Sequence, residues 1–230
     1  MSGASLLETI RGLLERTYLM RSGLSELGPF VIGDEGYRRL YRGAADAMSA
    51  GEAGCAGART MVREMGPRVR ACIYFPDALI SQLEAHPPQR GLGEPNVDPF
   101  ATFVEEIDHL LLIAERSRRD LPVSLFELEL HANVSKHLVL SRFLAGGTGR
   151  LSPEKRCWLR RRLFDAGRFS DEDPSVRARY RDAARYALQL IDRLVDLRPE
   201  ERLGALRRFH AAGARGKLEL IGQLAAEASS

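Results

Sequence analysis

Apolar and polar residues recur mostly at helical spacing along this 230-residue chain, and helix-start signals divide them into segments. A serine or aspartate precedes a glutamate or proline at several points, which is typical of helix N-termini. One segment, Arg68–Phe75, alternates polar and β-favouring residues and is the best strand candidate. We therefore expect a mainly α fold with a small β element near 68–75. The predicted helices cover about 5–21, 34–48, 56–65, 77–85, 98–118, 124–144, 152–166, 174–196, 199–211 and 215–227.

The segment 124–135 fits two secondary structures. Its apolar and polar residues alternate from 126 onward, as in a half-buried strand. However, Ser124 and Glu127 form a capping box, and the apolar run Leu138–Leu140 that follows does not alternate. We therefore interpret 124–144 as a helix. Because only a short turn separates it from the preceding helix, the two should pack as an antiparallel helical hairpin over 98–145.

Glycines at 146, 147 and 149 predict a hinge that divides the chain into two parts. The first, 1–150, is expected to be a mainly helical domain with the hairpin at its centre. The second, 151–230, is expected to be a basic helical subdomain packed on the first. Net charge follows this division, because 1–149 carries −3 and 150–230 carries +6 of the overall +3.

Arginine accounts for 31 of the 34 basic residues, so arginine clusters are weak evidence for phosphate binding in this chain. In the predicted helix over 174–196, Asp182, Asp192 and Asp196 are interleaved with the arginines. A nucleic-acid partner is therefore not expected. The apolar faces of the C-terminal helices would suit the protein's own core or a protein partner.

Composition places the chain among globular proteins, with 44% hydrophobic and 28% charged residues. Its three cysteines, Cys55, Cys72 and Cys157, include no C-x-x-C pair and predict no disulfide framework. The longest apolar run, Leu110–Ala114, is far too short for a membrane span, and Met1–Leu14 lacks a signal-peptide core. We therefore expect a cytoplasmic protein without a membrane partner.

The predicted hairpin carries most of the candidate chemistry. Glu105 and His109 are four residues apart and lie on one helix face, with Glu106 close to that face. Folding the hairpin should place position 109 opposite about 131–132 and position 105 opposite about 136. Carboxylates and imidazoles, which are ligands of divalent metals, would then converge. Three further candidate ligands lie on the second helix: Glu129, His131 and His137.

Residues 103–133 resemble the active-site helices of HExxH metallopeptidases of the gluzincin type, with Glu105–His109 in the motif position. The resemblance implies that Glu105, His109 and Glu129 bind zinc, since Glu129 follows His109 by twenty residues. It also implies that Glu106 is the general base of a metal-assisted hydrolysis. The chain departs from the family at Glu105, which stands where the family has its first histidine. A carboxylate can also bind zinc, so the resemblance with this departure predicts a zincin-like metal-binding protein that is degenerate as a peptidase.

Other interpretations of the same residues remain open. His131 and His137 are alternative ligands, and iron or manganese could replace zinc. Glu106 and His109 also match half of the Glu-x-x-His signature of ferritin-like dinuclear iron proteins, but the second half does not occur. The competing function class is a non-enzymatic helical interaction or regulatory module with a structural hairpin and no cofactor. An arginine-dependent nucleic-acid binder ranks behind both.

Overall fold

The computed structural model describes residues 5–41, 57–66, 68–146, 149–165 and 173–227, and this part of the chain is mainly α-helical, as predicted. A single π-helical turn, Arg161–Asp165, extends α6. The helices are α1 Leu6–Tyr18, α2 Asp34–Tyr41, α3 Asp77–Ala85, α4 Val97–Arg118, α5 Leu125–Ala145, α6 Pro153–Arg160, α7 Pro174–Asp196, α8 Pro199–Ala211 and α9 Ala214–Glu227.

A three-stranded sheet lies beside these helices. Its strands are β1 Val31–Ile32, β2 Arg59–Met65 and β3 Arg68–Tyr74, in the order β1-β3-β2. Strand β1 runs parallel to β3, and β2 runs antiparallel to it. The predicted β element near 68–75 is therefore confirmed as the central strand.

The helix predicted over 56–65 is wrong, because Arg59–Met65 forms β2. All seven of its residues pair with β3, from Arg59 opposite Tyr74 to Met65 opposite Arg68. Gly66 makes the tight turn between the two strands and has a φ of +62°, which glycine adopts without strain. A neighbouring strand thus decided the structure of a segment whose own helix signal was weak. Other predicted features lie outside the described residues, namely 42–48 of the second helix, Cys55, Gly147 of the hinge and residue 166 of the helix over 152–166.

Helices α4 and α5 form the predicted antiparallel hairpin. The helical interpretation of 124–135 is correct, and Ser124 Oγ accepts a hydrogen bond from the Glu127 N–H at 3.1 Å. The start of α4 differs by one residue from the prediction. Its first turn includes Asp98, whose carboxylate binds the Arg162 guanidinium at 2.8–3.0 Å instead of capping the helix.

Helix α5 packs against α4 on one side and α7 on another. Its residues 127–135 are all buried, although five of these nine residues are polar. One cluster of buried apolar side chains extends from Ile10 to Leu224 and includes residues on both sides of position 150. The predicted domain boundary at 150 stays a prediction. None of the described helices is long and apolar enough to cross a membrane.

Candidate metal centre

Three predicted ligands come together between α4 and α5. Glu105 and His109 lie one turn apart on α4, and Glu129 faces them from α5. Each offers one ligand atom, and these three atoms all lie within 4.8 Å of one another. Helical spacing of four residues sets the first pair, and the antiparallel hairpin supplies the third group.

Two polar atoms of this cluster are buried without a partner. Within the described part of the chain, His109 Nε2 and Glu129 Oε2 accept and donate no hydrogen bond. Both residues are largely buried, at 8% and 7% exposure. Leaving such atoms unsatisfied costs about 1–3 kcal/mol each, so native proteins usually supply a partner.

The Glu106 carboxylate lies beside the other ring nitrogen of His109, Nδ1. Its Oε2 lies 3.7 Å from His109 Nδ1 and accepts a hydrogen bond from Thr60 Oγ1 at 2.7 Å. Thr60 Oγ1 also lies 3.1 Å from the Glu106 carbonyl oxygen. A carboxylate beside one ring nitrogen orients a histidine whose other nitrogen binds a metal. Thr60 belongs to β2, so the incorrect helix prediction for that segment hid its contribution.

Lys136 supplies a cation to the cluster. Its Nζ lies 2.9 Å from Glu105 Oε2, and both side chains are largely buried. The predicted hairpin register, with 105 opposite about 136, was the only sequence signal for this contact. Any metal bound to Glu105 would share that carboxylate with the lysine or displace it.

Burial and the charges of neighbouring side chains shift the pKa values of the three residues in the cluster. Burial by itself lowers the pKa of His109, but the carboxylates of Glu106, Glu105 and Glu129 raise it to about 9. Burial, opposed by the charge of His109 and assisted by that of Glu105, raises the pKa of Glu129 to about 7. Burial also opposes ionisation of Glu105, but Lys136 and His109 keep its pKa below the ordinary value. At neutral pH His109 is therefore an imidazolium that must lose a proton before it can bind a metal.

The two alternative ligands lie elsewhere. The His131 ring is fully buried, with Nδ1 2.8 Å from Asp108 Oδ2 and Nε2 3.0 Å from His210 Nδ1. Both ring nitrogens are thus engaged away from His109. His137 faces α6 and α7, where its ring lies near Phe164. The structure does not bring either histidine to the cluster.

His131 instead belongs to a buried polar chain that joins α1, α4, α5 and α8. Asp108 Oδ1 accepts from Ser135 Oγ at 2.7 Å, and Tyr18 lies 2.8 Å from that hydroxyl. At the other end, His210 Nε2 lies 2.6 Å from Glu115 Oε2. Burial, together with the charge of His131, lowers the pKa of His210 to about 4. This chain holds α8 against the hairpin through hydrogen bonds. Its members are Tyr18, Asp108, Glu115, His131, Ser135 and His210.

Comparison with known proteins assigns no family. No family model, no curated protein and no solved structure matches this chain. The resemblance to gluzincins therefore stays a prediction that rests on 103–133 alone.

Proposed function

We propose that this protein binds a divalent transition-metal ion, zinc in the first place, through Glu105, His109 and Glu129. The observation that carries the proposal is the convergence of Glu105, His109 and Glu129, whose ligand atoms lie within 4.8 Å of one another. Two buried atoms of these residues, His109 Nε2 and Glu129 Oε2, have no hydrogen-bond partner among the described residues. Acidic clusters on protein surfaces are common, but this one is enclosed and includes an imidazole nitrogen that no described residue satisfies.

The donor set and its spacing suit zinc. Nitrogen and carboxylate oxygens bind zinc at about 2.0–2.2 Å, which puts tetrahedral ligand atoms about 3.3 Å apart. The widest pair would have to close by about 1.5 Å, a movement within the reach of a glutamate side chain. Iron and manganese accept the same ligands and remain alternatives.

Metal-assisted hydrolysis is the chemistry we propose for this site. Three protein ligands leave a coordination position for water or a substrate carbonyl, as in hydrolytic zinc enzymes. Glu105 is the most exposed of the three, with 22% of its side chain accessible, so the approach would pass beside it. Glu106 orients His109 through Nδ1, and its role as general base stays a prediction.

A non-enzymatic role is the second candidate, and the Lys136–Glu105 ion pair favours it. The ammonium group already neutralises the carboxylate that any substrate or metal would meet first. In this case the cluster would stabilise the hairpin of a helical interaction module.

Metal analysis of the full-length protein, purified without a histidine tag, tests the proposal. After incubation with zinc, iron or manganese and removal of excess ion, the wild type should retain about one ion per chain. His109→Ala and Glu129→Gln should lose it. His86→Ala is the matched control, because His86 is an exposed histidine outside the cluster, and it should retain the ion.

Retention by His109→Ala equal to that of His86→Ala would refute the metal site, as would a wild type without stoichiometric metal. Glu106→Gln separates the two roles of Glu106. If Glu106 is the base, the variant keeps its metal and loses hydrolysis of ester or peptide substrates. If Glu106 only positions His109, metal affinity and hydrolysis should fall together.

A further inference from the structure

A cavity lies between α5, α6, α7 and α8, away from the Glu105–His109–Glu129 cluster. Its volume is about 490 Å³, within the range of small-molecule sites. A smaller cavity of about 290 Å³ shares His137, Arg156 and Ile191 with it. Nothing in the proposed metal chemistry uses this space.

Arginines line one part of the cavity. Arg142, Arg150, Arg156 and Arg202 are among its lining residues. Arg202 is engaged, because it donates to the carbonyl oxygens of Leu194 and Leu197 at the end of α7. Arg142 and Arg156 are exposed, and neither forms an ion pair with any described residue. Two uncompensated guanidinium groups beside a cavity favour an anion.

Two cavity-lining residues on α5 each have a buried polar atom without a partner among the described residues. His137 Nδ1 and Ser141 Oγ lie one helical turn apart, both residues line the cavity, and neither atom hydrogen-bonds to a described residue. Burial and the charges of Arg156 and Arg160 lower the pKa of His137 to about 4, so the ring is neutral at pH 7. A neutral imidazole and a hydroxyl can both donate to an oxyanion.

The remaining wall is apolar. It consists of Leu138, Leu151, Ile191, Leu194 and Val195. Val195, at the edge of this wall, has 39% of its surface exposed. A ligand that fits the whole cavity would therefore combine an anionic group with an apolar body.

We propose that this cavity binds a small phosphate ester with a short apolar chain. The phosphate would be held by Arg142 and Arg156 and would accept hydrogen bonds from His137 and Ser141. The chain would lie against Ile191, Leu194 and their neighbours. A phosphate dianion suits two guanidinium groups better than a carboxylate does, because it offers more charge and three oxygens.

Calorimetric titration of the full-length protein with hexyl phosphate tests this assignment. Inorganic phosphate, 1-hexanol and hexanoate are titrated separately as fragments and as a carboxylate analogue. Hexyl phosphate should bind at one site at least about tenfold more tightly than any of the three. The double variant Arg142→Gln, Arg156→Gln should weaken it by at least about tenfold, and Ser141→Ala by about fivefold.

Two controls make the outcome specific. Arg63→Gln removes one guanidinium charge from an exposed position on β2 and should leave binding unchanged. His109→Ala should also leave it unchanged, because the metal cluster is separate. The assignment is overturned if hexyl phosphate shows no saturable binding, if hexanoate binds as tightly, or if Arg63→Gln weakens binding as much as the double variant does.

Discussion

Glu127 is a buried carboxylate shared by two cations, and its removal should destabilise the fold strongly. Its Oε1 lies 2.7 Å from Arg116 and 2.8 Å from Lys217 Nζ. All three side chains are at least nineteen-twentieths buried. Both cations also donate to the carbonyl oxygens of His210 and Ala212 at the C-terminal end of α8. Glu127→Gln keeps the size of the side chain but leaves two buried positive charges without an anion.

The expected cost can be estimated from these contacts. Breaking a buried ion pair on one side costs about 3–5 kcal/mol, because the remaining charge is left uncompensated. Lys217→Met should cost less, about 1–2 kcal/mol, since Arg116 still neutralises Glu127 and donates to the same carbonyl oxygens. Glu127→Gln should therefore be the more destabilising of the two by about 1–4 kcal/mol.

Urea unfolding followed by far-UV circular dichroism measures both free energies of unfolding at pH 7. Arg215→Gln is the control, because it removes an exposed cation from its pair with Glu219 and should change stability by less than about 0.5 kcal/mol. If Lys217→Met is as destabilising as Glu127→Gln, Arg116 does not substitute for the lysine and the reasoning fails.

Three further predictions concern charge and pH. Lys136→Met removes the ammonium group that competes with zinc for the Glu105 carboxylate. Zinc affinity, measured by competition with a chelator, should therefore rise about tenfold. An unchanged or lower affinity would contradict this role of the lysine. Because the pKa of His109 is about 9, zinc affinity should rise about tenfold per pH unit from pH 6 to 8. Calorimetry in buffers of different ionisation enthalpy should detect at least about one proton released per ion. Binding heats that do not depend on the buffer would refute this prediction. The pKa of His137 is about 4 in the folded state, against an ordinary value of 6.5. Between these two pH values the unfolded chain binds a proton at His137 that the folded protein does not bind. The free energy of unfolding should therefore fall by up to about 3 kcal/mol as the pH drops from 6.5 to 4. His137→Leu should flatten part of this decline and leave the part due to His210; equal pH dependence in both proteins would show that His137 does not cause it.

Local periodicity was enough to predict that Glu105 and His109 share a helix face and that a second helix returns beside it, whereas the choice of Glu129 came from the gluzincin resemblance. The spacing of Glu105 and His109 fixes a shared helix face whatever the rest of the chain does, and a short turn forces the next helix to return beside it. Glu129 then falls opposite His109 within the tolerance of a hairpin register. His131 does not, because two residues along a helix turn the side chain by about 200°.

The groups around the cluster depended on distant parts of the chain. Thr60 reaches Glu106 from β2, and a seven-residue strand with little burial carries almost no pattern of its own. Strand β1 has only two residues and forms because β3 offers it an edge. His210 reaches His131 from α8, 79 positions along the chain, so only the packed fold could reveal that contact.

The buried segment 127–135 also explains why its sequence resembled a strand. A hydropathy pattern predicts which side chains are buried only when the polar side chains are exposed to solvent. In this segment the glutamate, histidine, asparagine and serine residues are as buried as the leucines. Polarity and exposure are uncoupled in this stretch of α5. Because every position from 127 to 135 is buried, substitutions of its polar residues should be tolerated no better than substitutions of its apolar residues. Over these nine residues the helix has no exposed side at which substitutions would have little effect.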